Sequence, residues 1–280
     1  MMNKEKQVNA MSVDVEDYFQ VSAFESTVAR SNWDNITHRV ADNTNKILDQ
    51  FADNNVRATF FMLGWVAQRY PDLVKRIVTD GHELASHGYE HIRVTKQTPK
   101  EFQLDVIKTK KLLEDISGVE VKGYRAASYS IGEDNLWAID ELAKAGYRYS
   151  SSIYPIRHDL YGMPDAPRFV FQHKSSQLLE VPITTVQLAG KILPCGGGGF
   201  FRLFPYAYSK WAINRVNTND KQPAVFYFHP WEIDTEQPRL HDAPLKSRFR
   251  HYLNLNKMEG RLQKLMHDFA WDRMDKIFLK

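Results

Sequence analysis

The stretch RATFFMLGWVAQRYPDLVKRIVTDGHELAS, residues 57–86, decides the fold class. Its two ends, 57–62 and 82–86, are short apolar runs of strand length. Its middle carries Leu73, Val74, Ile77 and Val78 at helical spacing from Pro71 until Asp80-Gly81 stops the helix. Strand, helix, strand is the order that joins parallel neighbours. Outward on the N-terminal side, residues 8–15 read as a strand and 43–52 as a helix. On the other side follow a helix at 99–113, a strand at 121–125, a helix at 135–145 and a strand at 147–150. Such alternation predicts an α/β fold of parallel strands with helices outside, either a barrel or an open doubly wound sheet.

Beyond Ile156 the alternation weakens. Prolines and glycines accumulate up to Phe201 around one strand-like run at 178–183, which predicts long loops that shape a site. A helix is expected at 204–217, a strand at 224–229 and a last amphipathic helix at 257–271. The Gly196 to Gly199 run lacks a following Lys-Ser/Thr and a dinucleotide fingerprint, so it reads as a flexible loop near a ligand rather than a phosphate cradle. With 280 residues, 43% of them hydrophobic, the chain is long enough for one large domain or two small ones. Basic residues exceed acidic ones by only 37 − 34 = 3, too weak a bias to argue for nucleic acid or anionic lipid as a partner. The N-terminus, Met1 to Gln7, has no apolar stretch behind its lysines and no run of 18 apolar residues follows, so the expected location is cytoplasmic, including the inner face of a membrane. A single cysteine, Cys195, excludes an internal disulfide and a cysteine zinc cluster; between Pro194 and four glycines it reads as a small loop residue, with a catalytic thiol formally open.

In parallel α/β folds chemistry collects at the C-terminal ends of strands. Here those ends carry Asp14, Glu16 and Asp17 in SVDVEDY, His87 and His91 in SHGYEH, Arg125 in GYRAAS, and His229 in HPWE. Strand alternation sets Val13 and Val15 on one face and Asp14 and Glu16 on the other. Three close carboxylates repel unless a cation neutralises them, or unless they serve a helix N-terminus. Two histidines with one carboxylate leave open positions on Zn²⁺, Co²⁺, Mn²⁺ or Ni²⁺, and a second carboxylate can then act as base. Gly88 lets the chain turn so that both rings face one ion. Arg125 reads as a surface charge or as a carboxylate's partner, and His229 as a core histidine or a general acid.

The ordered set SVDVEDYF, ATFFMLG, GHELASHGYEH, GYRAAS, GYRYSSS and VFYFHPWE resembles the polysaccharide deacetylase family, the NodB-homology or family-four carbohydrate esterases, over roughly residues 8–232. More narrowly, HDLYGMPDAPRF, LLEVPITT, GGGGFFRLFPY and HPWEID are similar to deacetylases encoded with exosortase A and exopolysaccharide assembly. The resemblance implies a distorted (β/α) barrel of seven or eight strands. It implies one catalytic domain over 1–280, with a core at 8–232 and an extension at 233–280 packing on it. It also implies a divalent metal, usually zinc, on His87, His91 and one carboxylate, with Asp14 as base, Arg125 orienting that base and His229 as acid. The substrate implied is an N-acetylated glycan, held by aromatics such as Tyr18, Phe19, Tyr129 and Trp231, with the Tyr18 N–H near the oxyanion; the oligomeric state stays open.

Three departures bear on these roles. The family's adjacent aspartates are here spread over Asp14-Val15-Glu16-Asp17, so the carboxylate ligand is Glu16 by alternation or Asp17 by residue type. The proline two residues after the arginine is Ala127. The aspartate partner of the acid histidine is replaced by Ser150, which leaves Asp159 or Glu232 to tune His229. The activity expected is removal of N-acetyl groups from amino sugars of a polysaccharide or its lipid-linked precursor. Hydrolysis of cyclic amides, as in allantoinases, and glycan binding without catalysis are the alternatives.

Overall fold

The computed structural model describes residues 6–159 and 161–279; the first five residues of the lysine-bearing N-terminus, and Leu160 inside HDLYGMPDAPRF, lie outside the described residues. The chain opens with β1 (Val8–Val15), buried along all but its first residue. It then runs through α1 (Val40–Asp53) to β2 (Thr59–Met62), through α2 (Gly64–Arg69) and α3 (Pro71–Thr79) to β3 (Glu83–Ser86), through α4 (Pro99–Ser117) to β4 (Gly123–Tyr124), and through α5 (Trp137–Lys144) to β5 (Tyr149–Ser150). The helix boundaries follow local chemistry. In α4, Thr98 and Glu101 exchange side-chain and backbone hydrogen bonds at the start, and Gly118 at φ 70° ends the helix.

The second half contributes β6 (Phe171–Gln172), β7 (Leu179–Glu180), the pair β8 (Thr185–Leu188) and β9 (Lys191–Pro194), α6 (Gly198–Leu203), α7 (Tyr206–Arg215), β10 (Val225–Phe228), α8 (Leu245–Tyr252), α9 (Leu255–Asp268), β11 (Ala270–Asp272) and α10 (Met274–Phe278). Strands lie in the order β10-β1-β2-β3-β4-β5-β7-β6, parallel except for β6, and β11 adds to the start of β1. The sheet curls into a half-barrel. Single hydrogen bonds rather than a ladder bridge its open side: Tyr227 N–H donates to the Gly196 carbonyl at 2.8 Å, and Val225 N–H to Thr184 Oγ1 at 2.6 Å. Met11, Val13, Phe60, Leu84 and Phe228 face the helices, whereas Ala10, Phe61, Ala85, Tyr149 and Tyr227 fill the inside.

Four expectations are corrected. The last helix stops at Asp268, and Ala270–Asp272 leave it to pair with Val8–Ala10, because Trp271 buries against Phe226 and gives its indole N–H to the Leu265 carbonyl. Residues 270–272 therefore add a strand to the sheet. Within the supposed loops, Ala189 and Gly190, both at positive φ, turn the β8–β9 hairpin. The short helix α2 was not expected. The glycine run packs rather than flexes: a Cβ on Gly197 would lie 1.9 Å from the Tyr227 carbonyl oxygen, so only glycine lets this backbone meet β10. Cys195 is buried, and burial pushes its thiol up to about 12, which leaves no nucleophile.

The barrel floor is polar. Glu83 accepts from Thr59 Oγ1 at 2.5 Å, from Tyr149 Oη at 3.0 Å and from the Asp275 N–H at 3.0 Å at the start of α10. Burial and the Asp275 carboxylate push Glu83 up to about 7. The folded protein keeps this proton to about pH 7, while the unfolded chain releases it near 4.5. The stability it contributes is present below pH 4.5 and lost as pH rises through 7. The unfolding free energy of wild type should therefore fall as pH rises from about 5 to about 8 relative to that of Glu83→Gln, as read from denaturant titrations. Parallel pH profiles for the two proteins would contradict this.

Candidate active site

At the end of β1 the chain turns tightly, with Glu16 N–H donating to the Asp14 carbonyl at 3.0 Å. Asp14 and Glu16 thus both stay inside the barrel mouth, and Asp17 swings out. The Asp17 carboxylate accepts from the backbone N–H groups of Tyr18, Arg39 and Val40 at 2.9, 2.7 and 3.0 Å, the last two at the start of α1. Burial raises Asp17 to about 6 against those donors. It is the helix-terminus carboxylate of the three, turned away from the histidines. Tyr18 and Phe19 are buried, Phe19 against Trp33 and Trp65, and neither lines the cavity. The Tyr18 N–H, expected near an oxyanion, is already engaged by Asp17.

His87 continues β3 through its N–H to the Met62 carbonyl. Its Nδ1 lies 2.8 Å from the Arg125 carbonyl, which fixes the proton there and leaves Nε2 free. Gly88 at φ 76° and His91 at φ 53° fold the loop back. The loop is pinned from both sides. The first N–H groups of α2, Gly64 and Trp65, donate to the carbonyls of Gly88 and Tyr89, and Arg30 donates to those of Glu90 and His91. As a result one ligand atom from each of Glu16, His87 and His91 falls within 4.8 Å of the others, all three residues buried. Glu16 Oε2 sits 3.0 Å from His91 Nε2 and has no properly aligned hydrogen-bond donor. Burial opposes ionisation of Glu16, but the charge of His91 and, behind it, His229 pulls it down to about 2. Burial holds His87 down at about 4, neutral near pH 7. A buried carboxylate oxygen without a hydrogen-bond donor beside two convergent imidazoles is a donor set that could hold a divalent metal ion.

Asp14 lies beside this set. Arg125, fully buried, gives Nη1 to Asp14 Oδ1 at 2.5 Å and to Ser12 Oγ at 2.9 Å, Nη2 to Ser151 Oγ at 3.0 Å and Nε to the Ser151 carbonyl at 3.2 Å. The other Asp14 oxygen faces Tyr129 Oη at 3.5 Å and His229 Nε2 at 3.9 Å. Ala127, where a proline was expected, opens a turn whose Ser128 and Tyr129 both sit at φ near 50°, a strained pair that drives the Tyr129 ring into the cavity.

His229 leaves β10 with Nε2 also 3.5 Å from Glu16 Oε1 and with Nδ1 2.7 Å from Glu232 Oε1. Of the three partners considered for it, Ser150 bonds Ser152 and Asp159 pairs with Lys246 and Arg250. Only Glu232 meets the ring. Burial would lower His229, but the hydrogen bond to Glu232 and the charges of Glu16 and Glu232 raise it to about 9. Glu232 is anchored in turn by Arg202, whose Nε reaches it at 2.5 Å while Nη1 donates to the carbonyls of His251 and Leu253, both at 2.8 Å. Sequence reading missed Arg202. The signal was a lone cation inside the apolar run Phe200-Phe201-Arg202-Leu203, which cannot be buried without an anion. Trp231 stacks on His229 and His251 at 5.1 and 4.0 Å and sends its indole N–H toward Glu16 Oε1 at 3.4 Å. Asp14, Glu16, the two loop histidines, Tyr129 and His229 line one cavity of about 190 Å³.

Comparison with known proteins divides the chain. Residues 24–150 match the family model described as polysaccharide deacetylase, and residues 151–279 match one described as a domain of unknown function, DUF3473. A peptidoglycan-N-acetylglucosamine deacetylase of Bacillus cereus is 38% identical over 99 residues, which is 35% of this chain and 36% of that protein. The chain thus spans about a third of that relative's length. Among solved structures, a polysaccharide deacetylase from Mycobacterium smegmatis superposes over 99% of this chain and 91% of its own with a TM-score of 0.63 at 17% identity. The Puue allantoinase superposes over 96% and 87% with a TM-score of 0.59 at 14% identity. At such identities the likeness is one of fold. The cavity draws on every part: Asp14 and Glu16 precede the first match, His87, His91 and Arg125 lie in it, and Arg202, His229 and Glu232 lie in the second. Residues 24–150 thus resemble polysaccharide deacetylases, and the segment matching a domain of unknown function that follows completes the same cavity.

Proposed function

We propose that this chain is a metal-dependent hydrolase that removes N-acetyl groups from amino sugars of a polysaccharide or its precursor, in exopolysaccharide biosynthesis. The observation that carries the reading is the meeting, in one cavity, of an arginine-held carboxylate, a His₂-carboxylate donor set and a carboxylate-backed histidine. The chemistry a divalent ion supplies between Glu16, His87 and His91, zinc being the one we favour over Co²⁺, Mn²⁺ or Ni²⁺, is to acidify a water and polarise the amide carbonyl. The protein's own groups do the rest. Asp14, oriented through Oδ1 by Arg125, takes the water proton at Oδ2, the oxygen that faces the cavity. His229, with Nδ1 on Glu232 and Nε2 toward Asp14 and Glu16, delivers a proton from Nε2 to the leaving amine. Tyr129 is oriented toward the same carboxylate, and Trp231 and Tyr129 form walls for the sugar.

An extended substrate is supported by a neighbouring cavity of about 430 Å³ that shares Tyr129 and Tyr161 with the first. Two adjoining hollows suit consecutive units of a chain better than one small cyclic amide. The exopolysaccharide setting rests on the sequence resemblance alone.

Acetate release from N-acetylated oligosaccharides should disappear on chelation and return with zinc or cobalt. Asp14→Asn should lower turnover by roughly 10²-fold or more with metal content kept, and His87→Ala should lose the metal. A metal-free His87→Ala protein with full activity would falsify the mechanism, and absence of acetate across GlcNAc, GalNAc and peptidoglycan substrates would shift weight to cyclic-amide hydrolysis. Glu16→Gln should abolish stoichiometric metal by elemental analysis. Asp17→Ala should keep it while losing about 1–2 kcal/mol of stability at the α1 terminus; the reverse pattern would make Asp17 the ligand. Glu232→Gln should cut kcat by roughly 10-fold or more with KM and metal content little changed. Unchanged kcat would remove Glu232 from the mechanism.

A further inference from the structure

Helix α8 has two working faces, and the deacetylase reading uses one. Ser247, Arg250 and His251 line the catalytic cavity. On the outer side Leu245 is 79% and Phe249 63% exposed, four residues apart and therefore side by side on the helix surface. They form, with Arg239, Arg248, Tyr252 and Leu253, a separate surface cleft of about 360 Å³. Neither arginine of this cleft takes part in an ion pair among the described residues. Arg248 donates to the His241 carbonyl at 3.2 Å, and Arg239 lies over the Tyr252 ring at 4.6 Å. Lys246 and Arg250, on the same helix, share the one carboxylate of Asp159. The net charge of the whole chain hides this bias because it is local.

We propose that this face of α8 docks on a bilayer containing anionic phospholipid. Leu245 and Phe249 enter the interfacial layer, and Arg239 and Arg248 meet phosphate groups. A single exposed apolar residue needs no explanation, but two adjacent ones framed by cations without counter-charges present the apolar and cationic chemistry that an interfacial helix offers a lipid surface. Cations within a Debye length of such a surface are attracted, and each apolar side chain withdrawn from water adds to the partition. Because the opposite face of the helix forms a cavity wall, docking holds the catalytic mouth beside the headgroups, where an amino sugar carried on lipid would be presented. That last consequence rests on the proposed hydrolysis; the docking itself does not and is read without turnover.

Co-sedimentation of the full chain with vesicles of phosphatidylglycerol and phosphatidylcholine, against phosphatidylcholine alone, tests the surface. Wild type should pellet with the anionic vesicles at about 0.1 M salt and lose that binding toward about 0.5 M. The double variant Leu245→Glu/Phe249→Glu should lose at least about tenfold in bound fraction, with its melting temperature and acetate release in solution unchanged. Arg239→Glu/Arg248→Glu provides an independent second variant and should lose binding likewise. The proposal is overturned if wild type stays in the supernatant with anionic vesicles, if both double variants pellet as wild type does, or if sedimentation velocity shows a dimer that Leu245→Glu/Phe249→Glu dissolves. Acetate release without vesicle binding removes the docking and keeps the hydrolase; binding without acetate release does the opposite.

Discussion

The arrangement turns on a fully buried guanidinium. Arg125 sits inside the barrel, over the Phe61 ring at 3.9 Å, and a bare cation there would cost several kcal/mol in desolvation. Its charge is met by Asp14, and its remaining donors by Ser12, Ser151 and the Ser151 carbonyl. Those partners come from β1 and from the turn after β5, so one side chain fixes the mouth of the sheet across its middle. The Arg125 carbonyl, in addition, sets the His87 ring. Removing Asp14 therefore does more than take a carboxylate from the cavity. It leaves an unpaired buried cation between the strands that carry the metal-ligand candidates.

How much of this was legible in the sequence depends on whether the deciding forces were local. Strands β1, β2 and β3 are buried on both faces and the helices between them keep their 3.6-residue spacing, so the α/β order was visible, while the barrel rather than an open sheet was implied by the family resemblance alone. The loop histidines were visible because Gly88 and the spacing of four belong to one short segment. Which of Glu16 and Asp17 turns toward the histidines was not local, since the N–H groups of Arg39 and Val40 at the N-terminus of α1 claim Asp17. Trp271 looked helical because its burial against Phe226 is a contact between distant parts of the chain. Arg202 escaped for the same reason, its anion and its carbonyl acceptors lying 30 and about 50 residues away.

The cavity is also indifferent to the boundary between the two matched segments. The arginine that aligns Asp14 lies in the first, while the histidine facing the same carboxylate and the relay behind it through Glu232 and Arg202 lie in the second. The relay ends on backbone carbonyls of residues 250–253, so the geometry of His229 is referred to the turn joining α8 and α9. A segment described as being of unknown function thus has a definite structural task here: it supplies the far wall of the cavity and the support for one of its ionisable groups.

The pairing of β1 has a consequence for how the chain is made. Its neighbours begin at Thr59, Val225 and Ala270, and the last of these pairs with the first residues of the strand. A ribosome releases Val8 long before Ala270, so during synthesis the first strand can form its β2 ladder while its β10 side and its start lack partners. Contacts of such sequence separation place closure late in folding. The nascent chain then carries an open, apolar strand edge for most of its synthesis, a stage at which protection by a chaperone or by rapid synthesis matters more than it does for the finished barrel.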